Sequence, residues 1–205
     1  MEIKTKSILE KLEMIKEIED IQQEDLDKID ELNITGKDFN NDTQTVDFND
    51  LKLFPNLKNL SIEYSTIDYD CIDIIRNYEL KNLSFISCEF DSDLTNIKSI
   101  NTENIYISNC YDFDFSFINN KEFNEVNIST ETIRDKININ CNKLNLEHCE
   151  IENPEVLRGL NIKELIISTI QYEENPTVYE NLGYPVTVMD EDSEFVYTKL
   201  GEGNE

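Results

Sequence analysis

The sequence predicts an α/β solenoid: short parallel strands stacked into a curved sheet, joined by return segments and preceded by a helical cap. Three observations predict it. An apolar–x–apolar pair recurs eight times, with successive pairs between 18 residues (Val126 to Leu144) and 28 residues (Leu32 to Leu60) apart, about one supersecondary unit per repeat. The apolar residues are mainly Ile, Leu, Phe and Tyr, with 10 Phe, 9 Tyr and no Trp, and β-branched and aromatic side chains suit half-buried strands. An amphipathic segment precedes the first pair, where a stack of repeats needs its first core layer covered.

Residues 1–31 read as helix. Ser7 and Glu10, three places apart, spell a capping box in which each side chain satisfies the other's backbone N–H. Ile8, Leu12, Ile15 and Ile18 follow at helical spacing. Gln22–Leu32 reads as a second helical or turn-rich piece with Leu26 and Ile29 on one face. This segment is the expected cap.

Residues 32–189 carry the repeats. The pairs are Leu32/Ile34, Leu60/Ile62, Leu83/Phe85, Ile105/Ile107, Val126/Ile128, Leu144/Leu146, Leu165/Ile167 and Val186/Val188. Each has the form of a strand with one buried face. In the third repeat, Leu80-Lys81-Asn82-Leu83-Ser84-Phe85-Ile86-Ser87-Cys88-Glu89-Phe90, apolar groups occupy places one, four, six and eleven, with Cys at nine. The long first gap holds Val46-Asp47-Phe48, a small extra strand or a loop. Cys71–Tyr78 and Pro154–Leu160 read as short helices in the returns, Pro154 suiting a first helical turn and Gly159 an end. Residues 190–205 read as an acidic cap or tail. Asp190-Glu191-Asp192 forms a turn, Ser193–Leu200 a last edge strand, and Gly201–Glu205 a frayed end.

The spelling of the third repeat is L-x-x-L-x-L-x-x-N/C-x-L, and because it recurs the chain resembles the leucine-rich-repeat family. The resemblance implies a scaffold of seven to eight repeats that chiefly binds other proteins. Abundant Asn and Ile with little Ala and Gly suggests the small acidic form of such proteins made by a low-GC bacterium or its phage.

Charge narrows the partners. With 44 acidic and 18 basic residues the net charge is -26. Such a surface repels nucleic-acid phosphates and anionic membranes, so neither is an expected direct partner, and it attracts a basic protein. No apolar run approaches the ~18 residues of a membrane span. Five Cys without paired spacing suggest reduced thiols in the cytoplasm.

Little in the sequence suits catalysis. Cys88, Cys110 and Cys149 stand at place nine, buried at the turn after the strand in the family, and Cys141 at place one. A metal or redox cluster is not expected, since there is no C-x-x-C and equivalent places lie a repeat apart. The single His148 should point out where Cys149 points in. Gly-rich phosphate loops and a nucleophile elbow are missing. The expectation is a protein that is not an enzyme and needs no cofactor. An enzyme using carboxylates and a divalent metal is the weaker alternative, and Asp-x-Asp pairs without a full Ca²⁺ loop do not favour it.

Two surfaces are candidates for binding. The first is an acidic edge just after the strands: Asp68, Asp70, Glu89, Asp91, Asp93, Asp112, Asp114, Glu150 and Glu152, with Glu173, Glu174 and Asp190 further on. The fifth repeat interrupts it with Glu131, Arg134 and Asp135. Stacked, the edge forms a ridge able to imitate the phosphates of a nucleic acid. The second is the open face of the sheet: Asn59, Asn82 and Asn104 in a column, with Ser84, Ile86, Tyr64, Tyr106, Asn127 and Asn145. Small polar residues with aromatic anchors make an adaptable binding surface, although Asn ladders also stabilise parallel sheets by themselves. Together these readings point to an intracellular inhibitor, resembling an immunity protein or a phage anti-defence protein, that binds a basic nucleic-acid-handling protein. A general interaction or regulatory scaffold without a nuclease link is the alternative.

Overall fold

The structure is a computed structural model and describes residues 3–37, 42–91, 100–111, 113, 118, 121–134, 136–190 and the backbone of 193–200. The chain is α/β, with a large parallel β-sheet and few helices among the described residues. It divides into two units, Met1–Thr102 with Cys110–Phe113, and Glu103–Asn109 with Asp114–Glu205.

The first unit runs α1 (Lys6–Glu13), α2 (Gln23–Leu26), β1 (Glu31–Thr35), β2 (Asn59–Glu63), β3 (Thr66–Ile67), α3 (Tyr69–Ile75), β4 (Glu79–Ile86) and β5 (Glu89–Phe90). Strands β1, β2 and β4 pair in parallel and in one register. Leu32 lies beside Leu60 and Leu60 beside Leu83, while Ile34 aligns with Ile62 and Ile62 with Phe85. All six are at most 2% exposed. One repeat offers too little surface to bury such a pair, so the neighbouring strand completes it. The two-residue strands β3 and β5 form a second parallel ladder, Thr66 beside Glu89 and Ile67 beside Phe90. Ile67 and Phe90 turn inward there, and the Phe90 ring meets Phe85 and Phe113 edge-on at centroid distances of 5.2 Å.

The N-terminal segment departs from a continuous helix over 1–31. Helix α1 has eight residues, followed by a single turn at Ile18–Asp20 and then α2. Ile8 and Leu12 are fully buried and α1 lies along β1, where Lys11 Nζ donates to the Glu31 carbonyl. A helix of ~12 Å nearly spans a five-residue strand of ~16 Å, and beyond it Met14 and Ile15 are 88% and 48% exposed. The capping box at Ser7 is absent, because the N-cap is Thr5. The Ser7 hydroxyl instead accepts from the Thr35 N–H at 3.3 Å.

A neighbouring loop fixes the helix start. The buried Asp50 carboxylate accepts the Thr5 and Lys4 N–H groups at 2.7 and 2.9 Å. Val46-Asp47-Phe48 is a loop leading into a 3-10 turn at Phe48–Leu53, with Asp47 as its N-cap. Hydrogen bonds from the Asn49 side chain and from Lys4 hold the Asp47 carboxyl down at about 2. Helix α3 starts two residues before the predicted Cys71, because Asp68 caps it by accepting the Cys71 N–H at 2.8 Å.

The second unit holds most of β6 (Asn101–Ser108), then β7 (Glu122–Ser129), β8 (Thr132–Ile133), β9 (Asn140–Asn145), β10 (Glu150–Ile151), β11 (Asn161–Ser168), α4 (Thr169–Glu174), α5 (Pro176–Glu180), β12 (Val186–Asp190) and β13 (Ser193–Leu200). Ile105, Val126, Leu144, Leu165 and Val186 align laterally across five parallel strands. Strands β8 and β10 repeat the short ladder, and β13 adds antiparallel to β12. The return at Pro154 is only a 3-10 turn, Pro154–Leu157, capped by Asn153. Helices α4 and α5 were not predicted, although Ser168 with Gln171 spells a capping box and Pro176 suits a first helical position. Among the described residues no helix is long and apolar enough to cross a membrane.

Two outcomes follow from this packing. Leu83→Ala removes a side chain buried between two strands and should cost roughly 2–5 kcal/mol in urea unfolding; a cost under ~1 kcal/mol would contradict the packing described. Asp47 is depressed in the folded chain, so its contribution is present above its ordinary value of 3.8 and lost as pH falls toward about 2. Asp47→Asn should therefore flatten the fall in stability between roughly pH 4 and 2, measured as Tm against pH.

Candidate protein-binding surfaces

Strand alternation places the side chains at places three, five and seven on the open face, opposite the buried pair. Four of the strands then end in a sharp bend at place eight. Tyr64, Ser87, Asn109 and Thr130 all occupy this place and all have positive φ, between 49° and 61°, a conformation L-residues adopt rarely. In the first repeat place eight is Gly36, where an added Cβ would lie 2.1 Å from the Tyr64 carbonyl oxygen. The place-eight N–H donates to the place-seven carbonyl of the next repeat in three cases: Gly36 to Glu63, Tyr64 to Ile86 and Asn109 to Ser129. The bend swings the chain off the sheet and into the short second ladder.

Place nine anchors that bend from inside. The Cys88 thiol donates to the Ile62 carbonyl at 3.3 Å, Cys110 to Phe85 at 3.5 Å and Cys149 to Ile128 at 3.0 Å. Each acceptor is the place-six carbonyl of an adjoining strand. In the seventh repeat the Gln171 amide takes over, donating to Leu146 at 2.9 Å and to Cys149 at 2.6 Å. Burial pushes the Cys141 and Cys149 thiols up to about 12 and Cys71 well above its usual range, so these three are poor nucleophiles.

The open face is partly structural. In the first unit Asn82 Nδ2 donates to Asn59 Oδ1 at 2.6 Å. In the second, Asn104 accepts from Asn124 and Asn124 from Asn142, at 3.0 and 3.1 Å, so that ladder leaves place three for place two. Asn145 Oδ1 accepts the Glu147 N–H at 2.9 Å. Ser84, Ile86, Tyr106 and Asn127 are half-buried and Tyr64 is 43% exposed. The Lys37 ammonium sits 5.2 Å over the Tyr64 ring. The face closes toward the C-terminal strands, where Ile166 and Thr187 are buried and the Thr187 hydroxyl donates to Glu164 at 2.6 Å.

The acidic edge divides between the units. In the first, Asp68, Asp70, Glu89 and Asp91 are all exposed, Asp68 also serving as the cap of α3. Glu89 stands at place ten on the second ladder, bridged laterally to Tyr111. Tyr111 is 64% exposed and Tyr69, beside Asp68 and Asp70, is 60% exposed. The sequence does not mark these aromatics as part of the edge, although Tyr111 stands at place ten of its repeat, as Glu89 does in the one before. In the second unit Glu150 and Glu152 are exposed. Glu152 pairs with Arg134 at 2.7 Å and Glu150 accepts from the Thr132 hydroxyl at 3.3 Å, so the interrupting repeat neutralises part of the edge. Asp93, Asp112 and Asp114 lie outside the described residues.

Exposed His148 and buried Cys149 point apart, with His148 Nε2 3.9 Å from Glu147 Oε2. Among the described residues no group of three or more His, Cys, Asp or Glu is placed to hold a metal ion. No protein-family model matches the chain, and neither a curated protein nor a solved structure matches it.

Gln171→Leu keeps the volume but leaves two buried carbonyls without their donor. It should cost about 1–3 kcal/mol by chemical denaturation; a change below ~0.5 kcal/mol would mean that the amide does not anchor the turn.

Proposed function

We propose that the chain is a leucine-rich-repeat solenoid working as a non-enzymatic protein-binding module in a reducing, cytoplasmic compartment. In this reading it is an inhibitor, immunity-protein-like or anti-defence in type, that occupies the basic groove of a nucleic-acid-handling protein. The solenoid part is supported by the single register of the buried pairs, the left-handed residue at place eight and the place-nine bond to a place-six carbonyl. The observation that carries the binding part is the exposed edge of the first unit, where Asp70, Glu89 and Asp91 lie with Tyr69 and Tyr111.

Carboxylates interleaved with open aromatic rings suit Lys and Arg. The carboxylates pair with the charge, and the rings accept it over their faces. A net charge of -26 steers a basic partner into encounter and sets the salt sensitivity of the complex. Carboxylates carried by stacked strands at ~4.8 Å intervals present a polyanion to such a groove. The open face, with Ile86 and Tyr64 beside this edge in sequence, adds apolar contact.

The test is binding of the partner captured from extract, before and after changing Asp70→Asn, Glu89→Gln and Asp91→Asn together. Three surface pairs at ~0.5 kcal/mol each correspond to roughly a tenfold loss of affinity, along with a weaker salt dependence. Unchanged affinity would overturn the acidic edge as the contact. A captured partner that is neither basic nor nucleic-acid-binding would favour the general scaffold.

A further inference from the structure

Cys88 and Cys110 stand one repeat apart at place nine. That separation argues against a cluster in the sequence, yet in-register stacking makes it adjacency in space. Glu89 and Tyr111, the next residues of each strand end, are parallel bridge partners. The Tyr111 N–H donates to the Cys88 carbonyl at 2.8 Å, and the Phe90 N–H to the Tyr111 carbonyl at 2.9 Å. In-register parallel neighbours have Cα atoms about 4.8 Å apart, within the ~4.4–6.8 Å range of disulfides. Both thiols are buried, at 0% and 6% exposure. All five cysteines are thiols, none in a disulfide.

We propose that Cys88 and Cys110 form an oxidisable dithiol, a modification site at which a peroxide closes a disulfide between neighbouring repeats. The Cys88 thiolate attacks the peroxide O–O bond, giving a Cys88 sulfenic acid and hydroxide. The Cys110 sulfur then attacks the sulfenic sulfur, forming the S–S bond and releasing water. The two thiols lose two electrons and two protons, and hydrogen peroxide is reduced to two waters.

Cys88 is the attacking thiol because its interaction with the neighbouring Cys110 thiol draws it below its usual range. Burial pushes Cys71, Cys141 and Cys149 the other way. Attack needs the second ladder to open locally, so closure is slower than oxidation of an exposed side chain. The bond would tie Glu89 to Tyr111, two residues of the acidic edge, but the proposal stands independently of what that edge binds.

The experiment exposes the folded full chain to hydrogen peroxide until Met14, 88% exposed, is converted to its sulfoxide and for a further tenfold longer. The protein is then denatured, alkylated with N-ethylmaleimide and mapped by mass spectrometry. The expected product has Cys88 and Cys110 joined, and Cys71, Cys141 and Cys149 alkylated. In Cys110→Ser the oxidation should stop at a Cys88 sulfenic acid that dimedone traps, whereas Cys141→Ser should leave the disulfide unaffected. Five alkylated cysteines, a Cys71–Cys88 disulfide, or wild-type Cys88 over-oxidised with Cys110 alkylated would each overturn the proposal.

Discussion

Each of the eight repeats carries a pair of inward apolar side chains and too little surface of its own to cover them. Burial is completed only by the strand alongside, at the same place. That constraint fixes the register: a slip of one residue would turn the pair to the open face. Within each unit the aligned columns meet it, with Leu32, Leu60 and Leu83 in the first and Ile105 through Val186 in the second. The rest of the local geometry follows. To return to the same register a repeat must leave the sheet, and in the second to fifth repeats the left-handed residues at place eight perform that exit. The carbonyls exposed by the exit need donors in a dry interior, which place-nine thiols and the Gln171 amide supply.

The strands were legible because a period-two pattern repeated eight times is a strong signal. All eight pairs are buried and all lie in strands except Leu146, which follows the last residue of β9. The exits were not, because Tyr64, Ser87, Asn109 and Thr130 share no residue type that announces positive φ. The N-terminal helix was overextended because Ile15 keeps helical spacing beyond the point where β1 has anything left to cover. Ser7 with Glu10 imitated a cap that Thr5 and the distant Asp50 carboxylate made unnecessary. Helices α4 and α5 were missed although Ser168, Gln171 and Pro176 spelled their starts. Cysteine spacing says little about which thiols are neighbours, because distance along a stacked chain, counted in whole repeats, is nearness in space.

The candidate surfaces were legible as columns but not in their chemistry. Asn59, Asn82 and Asn104 formed a polar column in the sequence, and in the structure their amides are engaged with neighbouring asparagines. Some carboxylates likewise have work inside the fold. Asp50 and Asp47 hold the N-terminal segment, Asp68 caps α3, and Glu152 and Glu155 are met by Arg134 and Arg158. Asp70, Glu89 and Asp91 are exposed on the edge that also carries the exposed Tyr69 and Tyr111, and the binding account rests on that edge of the first unit.

Zero-length carbodiimide cross-linking of the captured complex tests that account most directly, because it joins a carboxylate to a lysine amine only where the two are in contact. The account predicts amide links from Asp70, Glu89 or Asp91 to lysines of the partner. Links confined to the acidic residues of α1 and α2, or to Glu150 and Glu152, would contradict it.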